Sequence, residues 1–249
     1  MPVLILILPY ALISYAVFLF SVLYSIGFVG NFMVPKTIDF GGAAPWIQAL
    51  ALDVALLGLF AIQHSVMARP AFKRWWTRII PAAAERSTYV LLSSLILLLL
   101  FWQWRPITTT IWQTEGAAAA LLQSLQGFGW IVAFASTFMI DHFDLFGLRR
   151  GFEALGAVTP ANPSFKTPLL YRIVRHPLML GFLIAFWATP VMTVGHLLFA
   201  VMTTGYILVA LQFEERDLTA VFGETYEQYR RQVPMLVPFT ARRRSPQAN

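Results

Sequence analysis

Two stretches hold most of the residue types that can do chemistry. The first, KTPLLYRIVRHPLMLG from Lys166 to Gly181, places Tyr171, Arg175 and His176 directly before Pro177. Proline is favoured in the first turn of a helix, where no N–H partner is needed, so Pro177 is expected to open a helix with His176 as its N-cap. A helix N-terminus offers free N–H groups and the positive end of a dipole, which suit a carboxylate or phosphate. Gly181, one turn on, would let a ligand approach the backbone. The alternative is that Arg175 and His176 only mark a membrane boundary. The second stretch, Glu214 to Val237, begins with adjacent carboxylates, Glu214 and Glu215, and continues with tyrosines and a basic cluster. Helical neighbours do not share a face, so at most one of the two looks into a site. There it could hold a cationic amino group.

A third cluster, Asp141, His142 and Asp144, stands at the end of an apolar run. The two aspartates, three apart, share a helical face while His142 points elsewhere. No second cluster with ligand spacing accompanies them, so no metal site is expected. His64 and His196 lie within apolar surroundings and read as hydrogen-bonded structural residues.

The elements that must position these groups are membrane helices. With 58% hydrophobic and 12% charged residues and a mean hydropathy of +0.66, the 249-residue chain is expected to be all-α, a polytopic helical bundle in a lipid bilayer. Runs of about 20 apolar residues are found at Val3–Phe28, Trp46–Met67, Ala82–Trp104 and Leu121–Phe146. Leu178–Phe213 is too long for one span and carries Pro190 and Gly195, so it reads as a hairpin whose first helix is the shorter. The expectation is about six helices in one domain over 1–249: a four-helix part, 1–146, and then a loop, hairpin and C-terminal segment, 147–249. The first run lacks a basic leader and a cleavage site, so it reads as a retained helix.

The net charge of +6 is not spread over a soluble face, so no nucleic-acid partner is expected. Sixteen of the 18 Lys and Arg residues, all but Lys36 and Arg105, fall on one side of this arrangement. Basic residues are retained in the cytoplasm, which predicts cytoplasmic termini and places both chemical stretches on that face. The absence of cysteine excludes disulfides and thiolate metal sites.

The bipartite pattern Tyr171-x3-Arg175-His176-Pro177-x3-Gly181, followed by Glu214-Glu215-x2-Leu218 and Phe222-Gly223-x2-Tyr226-x2-Tyr229-x3-Val233-Pro234, resembles the isoprenylcysteine carboxyl methyltransferase superfamily of integral membrane methyltransferases. The segments Gln63–Trp76, Glu85–Leu91 and His142–Arg149 are similar to its bacterial methanethiol S-methyltransferase branch. That resemblance implies S-adenosyl-L-methionine as cofactor in the bacterial inner (plasma) membrane. Lys166, Tyr171, His176, Pro177, Leu178, Met179 and Glu214 match the family's cofactor-contacting positions, with Arg175 and Gly181 in the same motif. Met179 replaces a frequent tyrosine, and residues 201–213 lack the arginine that meets an anionic substrate. The implied reaction methylates a small thiol, methanethiol, to dimethyl sulfide. His142 is then the candidate for taking the thiol proton, oriented by Asp141 and Asp144. The competing reading of that trio is a helix end anchored on Arg149 and Arg150. A lipid amine or prenylated-cysteine carboxylate as acceptor, and a non-enzymatic transport or accessory protein, are the alternatives to the whole reading.

Overall fold

The computed structural model describes residues 2–159, 165–238 and 240; the polar tail 241–249 lies outside the described residues. In order the chain forms α1 (Pro2–Gly30), α2 (Trp46–Ala68), α3 (Pro70–Trp76), α4 (Ala82–Gln103), β1 (Thr110–Gln113), α5 (Gly116–Ile140), α6 (His142–Leu145), α7 (Leu148–Ala154), a 3-10 turn (Leu169–Arg172), α8 (Pro177–Trp187), β2 (Val191–Thr193), α9 (Val194–Phe222) and α10 (Glu224–Gln232). Among the described residues five helices are long and apolar enough to span a bilayer: α2, α4, α5, α9 and Leu6–Gly30 of α1. Their outward faces are apolar, with Leu23, Ile62, Leu121, Ile131 and Val209 exposed. Such a surface suits lipid.

The expected hairpin is present, in an unequal form. The 11 residues of α8 give only about 16 Å of helix at 1.5 Å per residue. Extended chain 188–193 completes the crossing and pairs antiparallel with β1, so the tip of the hairpin meets the loop between α4 and α5. Asp39, in the loop after α1, reaches the same place through Thr193 Oγ1. Non-helical backbone at membrane depth needs partners from its neighbours, and it has them. Thr189 O accepts from Trp112 Nε1 at 3.2 Å and Pro190 O from Thr114 N at 2.9 Å. The last carbonyls of α8, which lack intrahelical donors, are met by side chains: Ala185 O by Gln126 Nε2 at 3.3 Å and Phe186 O by His196 Nε2 at 2.9 Å. His196 is thus hydrogen-bonded within the fold.

The helix expected to run to Phe146 stops at Ile140. Asp141 leaves helical geometry, and its Oδ1 accepts from Asp144 N at 3.1 Å, so it caps a new short helix instead of continuing the old one. The last span, α9, goes the other way and runs past Phe213 to Phe222. Helices α5 and α8 touch backbone to backbone. A Cβ on Gly181 would lie 2.5 Å from Ala133 N, and one on Gly129 2.6 Å from Ala185 N. Small residues that let helices approach are the usual means of association where lipid removes the hydrophobic drive. The close approach at Gly181 is therefore taken by α5 rather than left for a ligand. An aromatic core of Phe28, Phe101, Trp104, Phe186 and Phe199 fills the half of the bundle nearest β1 and β2.

Candidate functional site

The site forms where the C-terminal segment folds back over the start of α8. Arg175 N donates to Pro234 O at 2.9 Å and His176 N to Met235 O at 3.2 Å. The Arg175 guanidinium donates to Arg230 O at 2.8 Å and Val233 O at 3.1 Å. Tyr229 Oη reaches Tyr171 O at 2.5 Å. Burial pushes the Tyr229 phenol up to about 12, against the pull of Arg175. It stays a donor at neutral pH.

Within this fold the two adjacent glutamates do different things. Glu215 is buried and collects two arginines and a histidine: Arg175 Nε at 2.7 Å and His176 Nε2 at 3.1 Å on Oε1, and Arg230 Nε at 3.4 Å on Oε2. Its carboxylate is saturated. Glu214 keeps 48% of its side chain exposed, with His176 Nδ1 3.7 Å from Oε2. Tyr171 lies within its electrostatic range. The Tyr171 phenol is held above its ordinary value, first by burial and then by Glu214. Tyr171 also donates to Ser136 O on α5 at 3.4 Å.

His176 is the N-cap residue of α8, and Pro177 occupies its first turn. The imidazole makes no capping bond, because it spans the two glutamates. The first amides of a helix have no intrahelical acceptor, so those of Leu178 and Met179 stay available at the helix end while the Met179 side chain packs on Ile207, Leu211 and Leu236. A half-open carboxylate beside an uncapped N-terminus offers opposite charges side by side. That pair complements the ammonium and carboxylate of an amino acid. Arg175, by contrast, faces protein groups, its Nη1 hydrogen-bonded to two carbonyls and its Nε ion-paired with Glu215. Lys166 is exposed, next to Phe165, which packs on Phe222, Tyr226 and Tyr229.

The trio at the end of α5 has other contacts. Asp141 pairs with Arg149 at 2.6 Å and Asp144 with Arg150 at 3.3 Å, the contacts of the anchoring alternative. His142 is 2% exposed. Its Nε2 meets Tyr15 Oη and its Nδ1 meets Thr137 Oγ1, both at 2.7 Å, and its ring stacks on Phe138 at 4.1 Å. Burial holds this imidazole below the ordinary histidine range, with Asp141 opposing. These partners belong to α1 and α5 and not to the Glu214 site.

The spacing of the sequence had not indicated the part played by Glu215, Arg230 and the carbonyls of residues 233–235. The one available signal was the basic and proline-containing run Arg230–Pro234 so soon after the carboxylate pair.

The NnrU protein family matches residues 53–220 of the chain. Over 240 residues it is 66% identical to Methanethiol S-methyltransferase 2 of Bradyrhizobium diazoefficiens, covering 96% of this chain and 93% of that protein. It is 56% identical over 234 residues to Methanethiol S-methyltransferase of Mycobacterium tuberculosis, covering 94% and 96%. A more distant relative is Nurim of Mus musculus, 31% identical over 183 residues and 69% of each chain. No solved structure matches.

Proposed function

Because the chain belongs to the NnrU protein family, we propose that it is an integral membrane methyltransferase that uses S-adenosyl-L-methionine to methylate methanethiol, giving dimethyl sulfide. The observation that carries this reading is the inequality of the carboxylates: Glu215 is saturated, while Glu214 stands half open beside the uncapped start of α8. Glu214 takes the ammonium of the cofactor's amino-acid end and the amides of Leu178 and Met179 take its carboxylate. His176 fixes the Glu214 carboxylate and Tyr171 closes the pocket toward α5. When bound, the cofactor supplies a methyl group already activated on a sulfonium, so the protein chiefly aligns the acceptor and excludes water.

Residues 201–213 carry no Lys or Arg, which supports a small neutral acceptor over a prenylated carboxylate. The basic side of the bundle, with sixteen of 18 cations, is cytoplasmic in a bacterial inner membrane. The test is headspace analysis of cells expressing the chain and supplied with methanethiol, with calorimetry of cofactor binding to purified protein. Dimethyl sulfide should appear, and Glu214→Gln should weaken binding about ten- to a hundredfold, as loss of a charged hydrogen bond does. No dimethyl sulfide from folded wild-type protein would refute the proposal.

A further inference from the structure

One half-buried polar cluster lies outside the groups that contact Glu214 and the start of α8. Two membrane helices, α4 and α9, converge on the imidazole of His64, in α2. Tyr206 of α9 places its hydroxyl 2.7 Å from Nδ1. Tyr89 of α4 lies 2.7 Å from Nε2 and 3.0 Å from Nδ1. Gln63 and Ser93 exchange hydrogen bonds beside it at 3.3 Å. Polar side chains within a membrane bundle are costly and default to a functional reading.

The place of this cluster is what distinguishes it from the buried histidines His142 and His196. His64 is one turn from the end of α2 at Ala68, and Tyr206 is two turns before Glu214 on α9. Glu214 and Arg69, at the end of α2, lie within electrostatic range of both phenols, and Arg86 of α4 lies within range of Tyr89 and of His64 itself. Arg69 is itself paired with Asp217 at 3.1 Å. His142 contacts none of these groups, and His196 is committed to a backbone carbonyl.

Resting on the methyltransferase reading, we infer that His64 is the catalytic base for the thiol, held by Tyr206 at Nδ1 and exposing Nε2 when the thiol displaces the Tyr89 hydroxyl. A phenol can donate or accept, so Tyr206 holds the ring whether it is neutral or protonated. The acceptor's S–H proton passes to Nε2. The sulfur lone pair forms the new C–S bond to the transferred methyl, the electron pair of the broken sulfonium bond stays on the departing sulfur, and both products are neutral thioethers. The imidazolium loses its proton through the phenols toward the membrane edge. An apolar thiol reaches this depth through lipid, whereas the cofactor is met at the surface.

The experiment uses full-length protein in detergent or nanodiscs. His64→Gln should lower turnover on methanethiol about 10²–10⁴-fold. Cofactor affinity by calorimetry should be unchanged, and the loss should shrink as pH rises and the thiol ionises in solution. An acidic aryl thiol, already ionised at neutral pH, should be methylated at nearly the wild-type rate. Independently of turnover, methanethiol added to cofactor-free ¹⁵N-histidine protein should shift the His64 ring resonances and leave those of His142 in place. If His64→Gln does not fold, Tyr89→Phe and Tyr206→Phe keep the rings, and each should change the pH profile for methanethiol. Near-normal methanethiol turnover in folded His64→Gln, unchanged profiles in both Phe variants, or a shift at His142 alone would overturn the inference. An inactive wild-type protein would instead refute the methyltransferase reading.

Discussion

Glu215→Gln should destabilise the protein without being a binding mutation. The Arg175 and Glu215 side chains are 9% and 10% exposed and stand 2.7 Å apart. Removing one partner of a buried pair costs about 3–5 kcal/mol because the other charge is left uncompensated. Arg175 would keep its bonds to Arg230 O and Val233 O, and glutamine retains one acceptor oxygen. The lower end, about 3 kcal/mol, is therefore expected; the Arg230 contact, 52% exposed on its side, adds little. At about 2–4 °C per kcal/mol for a chain of this size, the midpoint of thermal unfolding should fall by about 6–12 °C. Tryptophan fluorescence in detergent, with Glu214→Gln alongside, reads it directly. Glu214 is half exposed, so its variant should melt within about 1–2 °C of wild type. The reversed pattern, with Glu214→Gln unstable and Glu215→Gln normal, would refute the division of labour between the two carboxylates.

Burial keeps His142 below the ordinary histidine value in the folded state, whereas the unfolded chain takes up a proton near pH 6.5. Its contribution to stability is therefore full above that pH and is lost as pH falls toward the folded value. Melting should show a shallower acid slope in His142→Gln than in wild type, and identical slopes would exclude the effect. Gly181→Ala forces a methyl to 2.5 Å from the Ala133 backbone, so α5 and α8 must part; a loss of about 1–3 kcal/mol or more should show as lower yield of monodisperse protein on gel filtration. Compartment reporters at residue 249 and within residues 31–45 should give opposite readings, and agreement between them would overturn the cytoplasmic assignment of the basic side.

The membrane spans were legible because the bilayer fixes their length and apolar character, whatever packs beside them. Pro177 as the first helical residue after His176 was legible for a similarly local reason. The break at Asp141 was not. The Asp141 and Asp144 spacing suits two groups on one helical face, but the same spacing lets the first side chain cap the amide of the second. Which of Glu214 and Glu215 turns inward depends on how α9 is rotated against α8 and the C-terminal segment, which spacing along one helix does not encode. His64 read as a lone structural histidine because its partners stand 25 and 142 residues away.

The uneven fifth crossing bears on how the chain enters the membrane. A segment that satisfies its own backbone can be released into lipid alone and find its neighbours later. Residues 177–193 cannot, since eleven helical residues fall short of the hydrocarbon thickness, the end of that helix borrows donors from Gln126 and His196, and the rest of the crossing borrows them from Trp112 and Thr114. Three of those donors are translated first and the fourth arrives at the start of α9. Insertion of this segment must wait until α9 emerges, and the pair then enters as one unit against α5 already in place. A nascent chain halted before His196 would leave the segment outside the bilayer core, where quality-control proteases could reach it.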